Sequence, residues 1–139
     1  MSGLAGLLAG HDAPAVHLWE AAFPPEEVAA AVDGAGWSFG YVDGWRDQEK
    51  RAVLAALGEA LGFPAYYGRN LDALADCLAD LEHDTVLLWD GWATLARGDH
   101  GSFTALLEVL AERTRATGPR FAVLLRGRGP ELPGVTLLQ

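Results

Sequence analysis

Three aspartates, Asp72, Asp76 and Asp80, stand four residues apart in one stretch of the chain, Phe63 to Leu81. At about 100° per residue that spacing sets all three carboxylates on one face of a helix. The opposite face is apolar, because Leu71, Leu74, Leu78 and Leu81 recur at the spacing of a core-facing stripe. Like charges at i,i+4 cost a helix about 0.2–0.5 kcal/mol per pair, and only Arg69 is close enough in sequence to offset them. Ala73, Ala75 and Ala79 are short, so the acids stand out from a flat surface that another molecule can approach closely. A solvated helix face is the plain account, but solvated faces usually mix signs.

The elements around this row must hold it in place. Pro64 discourages helix at Phe63, so the stretch begins as a loop. Gly68 is expected to supply the bend after Tyr66 and Tyr67. Asn70 suits a helix N-cap, its side-chain oxygen taking an orphan N–H of the first turn. The helix is then expected over Leu71–Leu81. One of the two tyrosines is expected to pack inward.

Other chemistry is sparse. The sequence has no Gly-rich phosphate loop, no Cys/His metal spacing and no Gly-x-Ser-x-Gly, so no cofactor, metal or catalytic set is expected. His83 lies near Asp80 and Asp84, but neighbours at a helix end seldom converge as ligands. His17 is expected to be exposed or satisfied. The lone cysteine, Cys77, reads as a buried thiol and suits a reducing compartment. Ten Lys and Arg against nineteen Asp and Glu give a formal charge of −9. That argues against nucleic acid, which is held by basic residues, and favours a basic partner. The apolar opening residues lack a basic leader and are too short to span a bilayer. A cytoplasmic protein without a membrane association is expected.

In chain order the patterns predict a short helix over 3–9, a strand over Ala15–Trp19 and a helix from Pro24-Pro25 to Asp33. A strand over Trp37–Val42 and a turn at Asp43-Gly44 follow, then a helix capped by Asp47 and running to Leu61. After the acidic helix come an apolar strand over Thr85–Trp89 and a loop over Trp92–Gly101 with room for one helical turn. A helix capped by Ser102 should reach Thr117, before a second apolar strand over Phe121–Leu125. Val135–Leu138 can add an edge strand. Fully apolar strands favour a parallel sheet covered on both faces. The expected fold is therefore α/β, a single domain over 1–139 with three to four mostly parallel strands and helices packed on them.

The run Tyr66-Tyr-Gly-x-Asn-Leu-Asp-Ala-Leu-x-Asp-Cys-Leu78 resembles the barstar-like family of ribonuclease inhibitors. A looser resemblance extends over about 37–125. Residues 1–36 are then an N-terminal strand–helix extension and 126–139 a C-terminal tail. The resemblance implies a barstar-like fold whose acidic helix and preceding loop plug the active site of a basic ribonuclease. Asp76 matches the family's central carboxylate and Asp72 a second one, while Tyr66, Tyr67, Gly68 and Asn70 match its contact loop. Ala75, Ala79 and Asp80 complete the implied partner face. The chain departs from the family at Ala75 and Leu81, where aromatics are expected, and at Asp80, where glycine is. It also has Arg113 where a further acidic contact would fall.

Three function classes stay open on the sequence. The first is a non-enzymatic inhibitor of a basic ribonuclease, monomeric when free. The second is an immunity or regulatory protein for a different basic toxin or nuclease, using the same face. The third is a small hydrolase around Asp72, Asp76 and His83.

Overall fold

The computed structural model describes residues 2–139. Its elements run α1 (Ser2–Leu8), β1 (Val16–Leu18), α2 (Pro25–Gly34), β2 (Ser38–Asp43), α3 (Lys50–Leu61) and α4 (Leu71–Ala79). They continue with β3 (Thr85–Asp90), α5 (Ala93–Gly98), α6 (His100–Thr114), β4 (Phe121–Arg126) and β5 (Thr136–Leu137). One sheet holds the five strands in the order β2-β3-β4-β1-β5, and every pairing is parallel. Three or four strands were expected. The fifth exists because β1 pairs with β4 on one side and takes β5 on the other.

β3 and β4 are buried along their length, and their side chains alternate between two cores. Leu87, Trp89, Phe121, Val123 and Leu125 face α3, α4, α5 and α6. Val86, Leu88, Ala122 and Leu124 face the other way, toward Leu4 and Leu7 of α1 and Val28 and Val32 of α2. The second face of the sheet is thus covered by residues outside the family resemblance. His17 in β1 is buried and satisfied, with Nδ1 3.2 Å from Thr136 Oγ1 and Nε2 3.0 Å from the Ala13 carbonyl.

An ion pair pins the extension to the carboxyl ends of the strands. Arg126 Nε and Nη2 donate to the two oxygens of Asp90 at 2.7 and 2.9 Å, and Nη1 donates to the carbonyls of Ala21 and Phe23. Tyr41 donates its hydroxyl to Asp90 at 2.9 Å. Burial, then that hydrogen bond to a carboxylate, raises the Tyr41 phenol well above its ordinary value.

Several helix boundaries differ from expectation. Asp47 does not cap α3; its carboxylate accepts from the Arg46 guanidinium, and the helix starts after Glu49 without a side-chain cap. Asp99, not Ser102, caps α6, with Oδ1 accepting from Ser102 N at 3.1 Å and Oδ2 from the Ser102 hydroxyl at 2.6 Å. A carboxylate at that position also suits the positive end of the helix dipole. The expected loop over Trp92–Gly101 is largely helix, because Ala93, Leu95 and Ala96 bury themselves against the core.

Candidate protein-binding site

α4 begins at Asn70, whose Oδ1 accepts from Ala73 N at 2.8 Å. Its buried side is made by Leu74, Cys77 and Leu78, with Leu71 partly covered. Asp72, Ala75, Asp76, Ala79 and Asp80 all face solvent. The helix ends at Ala79 with Asp80 as its C-cap, two residues short of the expected end, and Leu81 lies beyond it. Among the described residues no side chain pairs with Asp72, Asp76 or Asp80; the ion pairs are Arg46–Asp47, Arg120–Asp84 and Arg126–Asp90. The row is therefore an uncompensated negative strip.

The bend before the helix is made by Arg69, with φ 54°, and not by Gly68. A left-handed conformation is uncommon for a residue with a side chain. Gly68 serves closeness instead, since a Cβ there would sit 3.1 Å from Asn70 Nδ2 and press on the cap. The two tyrosines part company. Tyr67 turns inward, donates its hydroxyl to the Leu54 carbonyl at 2.9 Å and meets Phe63 edge-on at 5.0 Å. Burial pushes its phenol up to about 12. Gly58 makes room for that ring, which would come within 2.6 Å of a Cβ. Tyr66 is 79% exposed.

Arg113 holds the far end of α4. It is only 7% exposed, and its Nε donates to the Leu78 carbonyl at 2.8 Å and its Nη2 to the Pro119 carbonyl at 2.9 Å. The position that the resemblance gives to a further acidic contact thus faces inward. A cation suits the negative end of a helix, but this one has no carboxylate, its Nη1 has no partner, and burial lowers its pKa. The sequence carried a signal for it: Arg113 continues the buried series Leu106, Leu110 at i+4 and i+7. Cys77 is buried, and desolvation, with Asp80 and Asp76 nearby, raises its thiol pKa.

A cleft of about 590 Å³ opens beside the end of α4, bounded by Phe63, Tyr66, Asp80, Leu81, Glu82 and the last turn of α3. The sequence reading did not anticipate it. A larger cleft, about 990 Å³, lies at the carboxyl ends of the strands around Arg126 and Trp45, where the Arg126 donors are already engaged. Of the residues considered for hydrolysis, Asp72 and Asp76 lie on the exposed side of α4, and His83 lies past the helix end at Ala79. Among the described residues no group of three or more His, Cys, Asp or Glu is placed to hold a metal. No helix among them is long and apolar enough to cross a membrane.

The family model Barstar (barnase inhibitor) matches residues 37–126. The chain belongs to the barstar family. A Bacillus subtilis (strain 168) relative named "Putative ribonuclease inhibitor YrdF" is 38% identical over 88 residues, which cover 60% of this chain and 93% of the relative. The barstar match takes in β2 through β4 with α3 to α6, and leaves α1, β1, α2 and β5 outside. Among solved structures, the Aeropyrum pernix ORC2 protein superposes on 92% of the chain with a TM-score of 0.62 and 19% identity. The chain spans 39% of that protein's length, and the likeness is one of α/β fold alone.

Proposed function

We propose that this barstar-family chain inhibits a basic ribonuclease by laying α4 and the loop before it over the enzyme's active site. The observation that carries this reading is the strip Asp72–Asp76–Asp80, exposed and without a cation of its own. A ribonuclease site must be cationic to hold phosphate and to stabilise the transition state. Carboxylates at 5–6 Å intervals along a helix can occupy those cations and leave nothing to cleave. Asp76, with a carboxylate on either side, is the centre of the proposed contact and Asp72 its second charge. Ala75 and Ala79 let the enzyme approach the helix, Asp80 closes the strip, and Tyr66 supplies an exposed aromatic anchor of the kind that dominates interfaces. Tyr67, Gly68 and Asn70 form the contact loop and set its shape from below.

On this reading the chain is a single barstar-like domain, monomeric when free, acting in the cytoplasm without catalysis. The departures at Ala75, Asp80 and Leu81 favour a target whose rim differs from that of barnase, which keeps an immunity role against another basic nuclease in view. The test is to titrate barnase activity with the purified chain while varying salt. Stoichiometric inhibition, with association slowing as ions screen charge beyond about 8–10 Å, is expected. No inhibition of barnase or of other basic ribonucleases would overturn the reading, and a salt-independent association rate would overturn the electrostatic docking.

A further inference from the structure

The cleft beside α4 is continuous with the proposed inhibitory face, since Tyr66 and Asp80 belong to both. Its permanent charges have one sign, with His83 the one ionisable base on the wall. Asp80 and Glu82 line it and no Lys or Arg does. Two helices end on it: α3 at Ala60–Leu61 with Gly62 as its left-handed cap, and α4 at Asp80. α3 brings the negative end of its dipole, while that of α4 is already met by Arg113 through the Leu78 carbonyl. Beyond α3 the chain caps Glu59 and Gly58 through the N–H groups of Gly62 and Phe63, and Pro64 has no N–H to offer the next carbonyl. The floor is apolar and partly aromatic, with Phe39, Leu61, Phe63 and Leu81.

We infer that this cleft receives one arginine side chain of the partner protein. This deepens the inhibitor reading and rests on it for the partner's nature. The guanidinium meets two carboxylates and the carbonyl end of α3, and its planar face suits the Phe63 and Tyr66 rings. The aliphatic stem covers the apolar floor. A volume of about 590 Å³ is ample for one long side chain. A neutral or acidic side chain would leave the negative walls desolvated without compensation. Arginine fits better than lysine because it offers five N–H donors in a flat fork to acceptors spread around the rim. Asp80 and Leu81 then act as specificity residues, selecting a nuclease with an arginine at the matching edge of its active site.

The test uses N-acetyl-arginine amide as the probe, followed by backbone amide shifts of the full chain. Saturable shifts at millimolar probe are expected at Phe39, Phe63, Tyr66, Cys77 and residues 80–85. The isosteric, neutral N-acetyl-citrulline amide should produce none. Asp80→Asn and Glu82→Gln should each weaken the apparent affinity about threefold, as for partly exposed ion pairs. Leu81→Trp should abolish binding by filling the floor, with a melt showing that each variant is folded. Shifts centred on Asp72 or on the strand-end cleft, an equal response to citrulline, or no saturable response would overturn the inference. Equal binding of N-acetyl-lysine amide would overturn the choice of arginine. The outcome is separate from the inhibition assay. A chain that inhibits no ribonuclease but binds arginine here loses the function and keeps the cleft, and a chain that inhibits without arginine binding loses only the cleft.

Discussion

Replacing Asp76 by alanine removes a carboxylate that has two others within a helical turn and no cation. Asp72 and Asp80 each repel it by about 0.2–0.5 kcal/mol, so the change relieves about 0.4–1 kcal/mol. Alanine is the better helix former by up to about 0.7 kcal/mol. Asp76 also sits in the second half of α4, nearer its negative end. It accepts no hydrogen bond from another side chain and leaves no cavity, because it faces solvent. After screening by salt, the expected gain is about 1 kcal/mol, a rise in melting temperature of about 3–5 °C for a chain of this size. Inhibition should move the other way. Truncating one partner of a desolvated charge pair costs about 2–5 kcal/mol, a range to which the barnase–barstar complex itself contributed. That corresponds to about 30- to 5000-fold in affinity. A thermal melt and a titration of barnase activity on the same variant decide the matter. A destabilised Asp76→Ala that still inhibits fully would refute the reasoning, because the carboxylate would then be structural.

The adjacent tyrosines should separate cleanly. Tyr66→Ala should leave stability within about 0.5 kcal/mol and weaken inhibition about 30-fold or more, as loss of an aromatic anchor does. Tyr67→Phe should cost about 0.5–1.5 kcal/mol by denaturant melt, through the lost bond to Leu54, with inhibition unchanged. Arg113→Lys should cost about 1.5–3 kcal/mol, because a single ammonium cannot reach the Leu78 and Pro119 carbonyls as the fork does; an unchanged melt would show that the fork is dispensable. Asp84, whose carboxyl is held below its ordinary value by hydrogen bonds from Arg120, stabilises the fold above the unfolded carboxyl pKa, and that contribution is lost as pH falls through the folded value. The melting difference between wild type and Asp84→Asn should therefore shrink below about pH 4, and it should be small throughout because the pair is partly solvated.

Much of the architecture was readable because its causes are local. The apolar runs Thr85–Trp89 and Phe121–Leu125 form buried strands, and the leucine spacing of α4 puts Leu74 and Leu78 inward and the aspartates outward. What escaped depends on tertiary contacts. The edge strand expected at Val135–Leu138 is there as β5, but that its neighbour would be β1 was not legible. The cap of α6 fell to Asp99 because its two oxygens can hold both the N–H and the hydroxyl of Ser102. The left-handed residue before α4 is an arginine, a type that carries no turn signal. The cleft beside Asp80 is made by residues from β2, α3, α4 and the start of β3, which no window of sequence brings together.

The strand order has a consequence for how the chain reaches this structure. β2, β3 and β4 are neighbours in the sheet in the order in which they occur in the chain. β1 must instead find β4, matching Val16 to Val123 across more than a hundred residues, and β5 can join only once β1 is in place. Closing long loops costs entropy before any contact rewards it, and such pairings slow folding. The β1–β4 pairing is therefore the longest closure in the sheet, whereas α2 lies next to β2 in the chain and packs on it through short-range contacts. Without β1 the edge of β4 from Val123 to Leu125 would stand unpaired, an open strand edge of the kind that invites pairing with another chain.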